Sequence, residues 1–147
     1  MGGRALYWKE AVSQTRDALA GLRGHKLSPN VHYFVDPERH LVVVRFGKRV
    51  TADDIARYAE RLGSHPSFRP EFSEIADLRE VEELDLGADD FLKLADQIDP
   101  FSMEAKRAFV VRGPVQHHAA RMHKVLRTQR SFEIFWSFED AEQWIRR

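Results

Sequence analysis

Six carboxylates lie within eleven residues near the middle of the chain, directly after an apolar segment that ends near Asp77. They are Glu80, Glu82, Glu83, Asp85, Asp89 and Asp90. Open α/β sheets usually place their binding sites at the carboxyl ends of their strands, so this position predicts a fixed negative patch that could bind a basic partner. The alternative is that Asp89 and Asp90 interact with the dipole of a following helix, while the glutamates only solvate a loop.

Other familiar chemistries have no matching pattern in the chain. Successive gaps between His117, His118 and His123 are one and five residues, so no two of them form the i,i+4 pair of a helical metal site. The serines occur without a G-x-S-x-G elbow, the segment GKRVT lacks the upstream glycine of a phosphate-binding P-loop, and no GxGxxG is present. We therefore assign no catalytic residue, metal ligand or cofactor, and an enzyme with an unrecognised site stays an alternative.

The composition is that of an ordinary soluble domain, with 147 residues of which 43% are hydrophobic and 31% charged. The chain has no cysteine, which excludes disulfides, thiolate metal sites and cysteine nucleophiles and fits a reducing compartment. Its start lacks the apolar core of a signal peptide, and no segment approaches the roughly 20 apolar residues of a membrane helix. We therefore expect a cytoplasmic protein without a membrane span.

The charges are unevenly distributed, although the formal net charge is zero. Residues 1–50 carry nine basic and four acidic side chains, residues 51–100 five and fourteen, and residues 101–147 nine and five. The acidic middle disfavours a nucleic-acid-binding surface, and the basic ends lack the interleaved aromatic residues of a single-strand binder. We therefore expect no nucleic-acid partner.

Strand and helix patterns alternate along the chain and must position the acidic cluster. Two apolar runs, residues 31–35 and 41–46, flank Asp36 and Pro37 and so predict an antiparallel hairpin. Helical patterns then alternate with the strand patterns FSEIADL, RAFVV and FEIFW. The order β-β-α-β-α-β-α-β-α predicts an α/β fold with a mixed, mostly parallel five-stranded sheet, an N-terminal β-hairpin and four helices.

An extra N-terminal helix is predicted outside this domain, which divides the chain into a helical appendage, residues 1–27, and a domain, residues 28–147. Apolar or small residues recur at spacings of three and four from Ala5 to Leu22, and Gly24 then ends the pattern. Such a helix either lies on its own domain or mediates self-association or partner binding. An over-extended start of the reading frame is the third alternative.

The pattern from residue 31 to residue 81, followed by ARMHKVL and FEIFWSFEDAEQWI, resembles the bacterial STAS-like proteins. These have the anti-sigma-factor-antagonist fold, which is also compared with the CRAL-TRIO lipid carriers. In the antagonists, a kinase phosphorylates a serine at a strand-to-helix junction, and the added charge breaks the partner complex. Matching this junction to the present chain places Leu86 or Gly87 at the acceptor position, and neither has a hydroxyl. The resemblance therefore implies a binding surface without its phospho-switch.

The third helix of the domain is the predicted site of a ligand cavity. Its apolar residues recur at helical spacing and should face the sheet: Val115, Ala119, Met122 and Leu126. Its basic surface would consist of Arg121, Lys124 and Arg127. A methionine beside small residues can line an irregular apolar cavity, and the resemblance to lipid carriers supports that interpretation. A stripe at helical spacing is nevertheless usually ordinary core packing, which is the alternative to a cavity.

Three functions stay open on the sequence alone. We favour a non-enzymatic cytoplasmic binding module that binds a protein partner, or a second copy of itself, without a phospho-switch. The second is a carrier or sensor of a small apolar or anionic ligand between the sheet and the third helix, and the third is an enzyme with an unrecognised site. The predicted binding residues are Glu80, Glu82, Glu83, Asp85, Leu86, Arg121 and Met122.

Overall fold

The computed structural model describes residues 24–94, 98–127 and 131–147, and this part of the chain contains eight strands and four helices. The strands are β1 (His25–Ser28), β2 (Val31–Asp36), β3 (Leu41–Phe46), β4 (Arg49–Thr51), β5 (Ser73–Asp77), β6 (Glu83–Asp85), β7 (Lys106–Val110) and β8 (Ser131–Phe135). The helices are α1 (Ala52–Gly63), α2 (Ala88–Lys93), α3 (Pro114–Arg127) and α4 (Phe138–Arg146). The predicted N-terminal helix, from Ala5 to Leu22, lies outside the described residues.

Six strands form one sheet in the order β1-β2-β3-β5-β7-β8, while β4 and β6 form a separate parallel pair. In the large sheet, β2 pairs antiparallel with both β1 and β3, and the remaining neighbours are parallel. The α/β class, the hairpin and the mostly parallel sheet are therefore confirmed. The described sheet has one more strand than the five predicted, because β1 joins its edge.

Strand β1 replaces what the sequence predicts to be a loop. The segment HKLS lacks an alternating apolar pattern, so its strand character comes from pairing with β2 and from the ring of His25, which lies 5.1 Å from that of Tyr33. The predicted boundary between residues 27 and 28 consequently falls inside β1. Whether residues 1–23 act as an appendage stays a prediction.

Polar side chains at the element ends explain where the helices begin. Thr51 caps α1: its hydroxyl accepts from the Asp54 N–H at 3.2 Å, and the Asp54 carboxylate accepts from the Thr51 N–H at 3.0 Å. Ser137 caps α4 in the same way through the Asp140 N–H. The apolar stripe of α1 faces the core, since Tyr58, Ala59 and Leu62 are buried.

The large sheet has a different apolar core on each face, because successive strand residues point to opposite sides. One face, which we call the α4 face, buries Phe34, Leu41, Val43, Ile75, Ala108, Val110, Phe138 and Ala141. The other, which we call the α1–α3 face, includes Val31, Tyr33, Val42, Val44, Tyr58, Leu62, Ala76, Phe109 and Ala120 in its larger cluster. Both helix layers thus cover the same six-stranded sheet.

In the described part of the chain, no helix has both the length and the apolar character needed to cross a bilayer.

Candidate functional site

The acidic cluster lies in a segment that we call the junction, residues 78–91, which runs from the end of β5 through β6 into α2. Its first turn is fixed by the sheet and by α3. The Leu78 N–H donates to the Val110 carbonyl at 2.8 Å, and the buried Gln116 side chain donates to the Val81 carbonyl. The Gln116 Oε1 also accepts from the N–H groups of Arg112 and Gly113. This glutamine therefore ties the junction to the start of α3.

Carboxylates and apolar side chains of the junction lie on opposite sides. Its four predicted binding carboxylates are exposed: Glu80, Glu82, Glu83 and Asp85. Its apolar side chains instead line a cavity: Leu78, Val81, Leu84, Leu86 and Phe91. The predicted site residue Leu86 thus lies on the inner side of the segment, away from the carboxylates.

Arginines on neighbouring strands reduce the negative charge of this patch. Arg45 forms an ion pair with Glu80, and Arg49 lies 3.2 Å from Glu83 and 3.0 Å from Asp85. Arg49 reaches Glu83 because the two residues lie opposite each other in the register of the β4–β6 pair. The patch is therefore a network of exposed ion pairs rather than a set of free carboxylates.

Gly87 is the N-cap of α2 and so lies at the strand-to-helix junction, as the sequence comparison predicts. Its backbone has φ −84° and ψ 171°, and its N–H donates to the Asp90 carboxylate at 2.9 Å. A Cβ placed on Gly87 would meet only that carboxylate, at an ordinary contact distance of 3.7 Å. The preceding Leu86 contributes an apolar side chain where a phospho-switch needs a hydroxyl.

The cavity lies between the α1–α3 face of the sheet and the helices α1, α2 and α3, and its volume is about 100 Å³. Its walls are mostly apolar, with Phe46, Ile55 and Phe109 among them. A void of this size destabilises a fold by roughly 2 kcal/mol relative to a filled core. A cavity at this position agrees with the predicted location between the sheet and the third helix.

A group of buried charged residues, which we call the buried ionic cluster, adjoins the cavity: Tyr58, Glu74, Asp99 and Arg107. The Arg107 guanidinium lies 2.7 Å from both Glu74 Oε1 and Asp99 Oδ2, and these three side chains are at most 4% exposed. The Tyr58 hydroxyl donates to Glu74 Oε2 at 2.6 Å. The Phe101 N–H donates to Asp99 Oδ1 at 3.0 Å, so each buried carboxylate has both oxygens hydrogen-bonded.

The environment of this cluster fixes its protonation states. Burial, reinforced by the charge and hydrogen bond of Glu74, raises the pKa of Tyr58 well above its usual value. Burial alone would raise the pKa of Asp99, but the charges of Arg107 and His123 and the hydrogen bonds to its carboxylate lower it. Burial alone would likewise lower the pKa of Arg107, whereas Glu74 and Asp99 raise it. Asp99 and Arg107 thus stay ionised and Tyr58 stays neutral at neutral pH.

This cluster is the part of the site that the sequence reasoning missed. Glu74 and Arg107 are 33 residues apart, but they are direct cross-strand partners of β5 and β7. The sequence signal for this cluster is a charged residue within each of two apolar strand segments, FSEIADL and KRAFVV, at a position that strand alternation directs toward the core. Opposite charges at such positions of adjacent strands are expected to pair.

The orientation of α3 differs from the predicted one. Val115 was expected to face the sheet, but its side chain is 45% exposed, and the buried face instead includes Gln116, Ala119 and Ala120. The His123 ring packs on this inner side, 5.2 Å from that of Phe109. Apolar spacing of three and four predicts an amphipathic helix but does not fix which side faces the sheet. The pattern also misses Gln116, because hydrogen bonds rather than apolar character hold this side chain in the core.

The two predicted site residues of α3 lie apart from the cavity. Arg121 is exposed, and Met122 is half-buried and absent from the described residues that line the cavity. A ligand-binding role for either residue stays a prediction. Among the described residues, no group of three or more potential ligands could hold a metal ion.

No protein family model matches the sequence, and it has no match among the curated proteins. The solved structures that are similar include the following two. One is an uncharacterised protein of the DUF3478 family with a SpoIIAA-like fold from Shewanella loihica, at 21% identity and a TM-score of 0.51 over 85% of this chain and 92% of that chain. The other is an anti-sigma factor antagonist from Mycobacterium paratuberculosis, at 17% identity and a TM-score of 0.50 over 82% and 98%.

These similarities, together with the strand order described above, define the class of fold. The chain has the α/β fold of the STAS-like proteins. In particular, it has the SpoIIAA-like form of that fold, with helices on both faces of a mostly parallel sheet. The resemblance predicted from the sequence is confirmed at the level of fold.

Proposed function

We propose that the protein is a non-enzymatic STAS-like module that binds a protein partner through the outer surface of the junction and is not controlled by phosphorylation there. The observation that carries this proposal is that a junction with exposed carboxylates and no acceptor hydroxyl is followed by Leu92 and packs against α3, where Leu92 and Val115 expose large apolar side chains. The similarity to an anti-sigma factor antagonist supports a protein as the ligand. Because proteins with the same fold can have different functions, the proposal also needs support from the residues of the surface itself.

Apolar side chains on neighbouring helices supply the binding area of this surface. Leu92 of α2 is 49% exposed and Val115 of α3 is 45% exposed. Solvent exposure of a large apolar side chain is common at single positions, but two such residues beside a charged rim are typical of a protein-binding surface. We therefore place the centre of the interface on α2 and the start of α3.

The carboxylates of the junction affect the rate and selectivity of partner binding more than its affinity. Because Glu80, Glu83 and Asp85 already pair with arginines, they add little affinity, yet the surface around Glu82 and Asp89 stays acidic. Charges of this kind accelerate association with a basic partner and select against acidic ones. The proposed partner thus presents apolar side chains within a basic surface.

The test replaces the apolar centre by charge. The double variant L92D/V115D and the wild type are used to capture proteins from a lysate of the source organism, and a candidate partner is then purified and its Kd measured. We expect binding at least tenfold weaker for the double variant. The matched control is V125D, because Val125 is 65% exposed on the same helix, about 15 Å further along its axis. Equal binding by L92D/V115D and wild type, or an equal loss in V125D, would contradict this interface.

The absence of a phospho-switch is tested separately. We expect no phosphate between residues 77 and 91 after incubation with anti-sigma kinases, because Leu86 and Gly87 offer no hydroxyl. Intact-mass analysis, with a known antagonist phosphorylated in parallel, measures this. A stoichiometric phosphate localised to the junction would overturn the proposal.

A further inference from the structure

The cavity behind the junction suggests a second binding site, which does not depend on the protein-binding surface. It is partly open to solvent, and side chains from both the sheet and the helices line it, among them Leu84, Leu86 and Phe91 of the junction. We propose that this cavity binds a small neutral molecule that has an apolar body and one hydrogen-bond donor. Volume, charge and hydrogen-bond chemistry each restrict the ligand.

The volume of the cavity limits the size of the ligand. An apolar cavity of about 150 Å³ stays dry and binds benzene or xenon. The present cavity, of about 100 Å³, is smaller but partly open to solvent, so it accommodates one small ring with part of the ring in the opening. A long acyl chain exceeds this volume. The ligand is thus a single small ring or a short branched chain.

The charge of the buried ionic cluster excludes an anion. Two carboxylates, those of Glu74 and Asp99, line the cavity, and both already bind Arg107. A ligand anion in the cavity would lie beside these two like charges and away from water, and such a placement is strongly disfavoured. Of the two ligand types predicted from the sequence, apolar or anionic, the structure therefore favours the apolar one.

Three polar side chains that line the cavity, those of Tyr58, Glu74 and Asp99, present hydrogen-bond acceptors to a ligand. The Tyr58 hydroxyl hydrogen is donated to Glu74, so the Tyr58 oxygen offers only lone pairs to a ligand. The carboxylates of Glu74 and Asp99 are acceptors as well. A ligand with one O–H or N–H group can donate to one of the lone pairs that remain on these oxygens, whereas a ligand with acceptors only cannot.

The junction also provides a route of entry. Helix α2 has six residues and none of them is buried, and β6 is a three-residue strand that pairs with β4. The ion pairs that connect β6 to Arg49 are exposed and hence weak. Segments with so few buried contacts open at low free-energy cost, so displacement of the junction admits a ligand without unfolding the sheet.

Titrations of the full chain with three matched probes test this proposal: phenol, benzene and benzoate. We expect saturable amide shifts at Leu86 and Phe91 in nitrogen-15 NMR spectra, with a Kd for phenol below about 1 mM. Benzene should bind more weakly than phenol, and benzoate at least tenfold more weakly. An absence of saturable binding by both phenol and benzene overturns the site. Benzoate binding as tight as that of phenol overturns the neutral ligand, and benzene binding tighter than phenol overturns the donor.

Variants that fill the cavity locate the binding. In L86W, the larger side chain should occupy the cavity and weaken phenol binding at least tenfold. The control V125W places the same residue at an exposed position of α3, outside the cavity lining and the proposed interface, and should leave the Kd unchanged. Because L86W could fail to fold, A119L supplies the same test from the α3 wall. Phenol binding that persists unchanged in a folded filling variant overturns the location.

Discussion

The ion pairs on the two faces of the sheet differ in sequence separation and in burial. On the α4 face, Asp77 pairs with Arg79, two residues further along the chain, and the arginine side chain remains 23% exposed. On the α1–α3 face, Arg107 pairs with Glu74, 33 residues away, and both are sealed from solvent beside a cavity. The first arrangement closes the edge of a packed apolar core. The second brings distant elements together around an incompletely filled space.

The α4 face is packed as stability alone would favour, whereas the α1–α3 face is not. A buried ion pair is often no more stabilising than apolar residues of the same volume, and a cavity is destabilising. The α1–α3 face thus departs twice from what stability alone favours. Such departures are expected at functional sites, and they coincide here with the junction.

The largest expected effect is the loss of the central cation. The substitution R107M should destabilise the fold by about 3–5 kcal/mol, because it leaves two buried carboxylates without their counter-charge. Urea unfolding at neutral pH measures the change. The matched control is R57M, since Arg57 forms a pair with Asp53 in which both side chains are exposed, and it should cost less than about 1 kcal/mol. Similar losses for both variants would remove the contrast between sealed and exposed pairs.

Truncation of one apolar side chain on each face compares how tightly the two faces are packed. F138A on the α4 face should cost about 3–5 kcal/mol, because Phe138 is 1% exposed within a filled core. L86A should cost less than about 2 kcal/mol, since the half-buried Leu86 already borders a void. Thermal and urea unfolding of both variants provide the values. An L86A loss as large as that of F138A would mean that the junction is packed as tightly as the core.

The pH dependence of D99N tests the charge state of the sealed cluster. Because the folded-state pKa of Asp99 is lowered, its ionised form stabilises the fold above the ordinary aspartate pKa of about 3.9. This stabilisation is lost as the pH falls through the folded-state pKa. We expect wild type to exceed D99N by about 2–3 kcal/mol at neutral pH. The difference should shrink below about pH 4. D89N, at an exposed position, serves as the control, and a wild-type advantage over D99N that persists undiminished at pH 2 would contradict the assignment.

The smallest effect on stability is expected for the outer surface of the junction. The combined variant E80Q/E82Q/E83Q/D85N should change the free energy of unfolding by less than about 1 kcal/mol, because exposed ion pairs contribute little. Its association with a basic partner should nevertheless become slower and less dependent on salt. Stopped-flow binding at low and high ionic strength measures both. An unchanged salt dependence would show that these carboxylates only solvate the junction.

Much of the fold follows from local patterns. The apolar runs of β2 and β3 and the turn at Asp36 and Pro37 are encoded within one short segment, so the sequence predicts this hairpin correctly. Strand β1 was missed because its polar residues acquire strand structure only through pairing with β2. The rotation of α3 was missed because a buried glutamine, Gln116, has no apolar signature.

The site was less predictable than the fold. The carboxylates of the junction are visible in the sequence, but their pairing with Arg45 and Arg49 depends on strand register. The buried ionic cluster depends on which residues of β5 and β7 lie side by side, and local periodicity does not contain that information. The cavity is less predictable still, since it is a property of how side chains from several elements fail to fill a space.

The backbone at Gly87 leaves room for a side chain. Its dihedral angles lie in the extended region open to every residue, and a Cβ there meets no closer atom than 3.7 Å. Serine is among the preferred residues at a helix N-cap. A Gly87→Ser exchange would therefore supply a helix cap and a phosphorylatable hydroxyl together, without rebuilding the junction. One substitution is thus enough to give this segment the hydroxyl that it lacks.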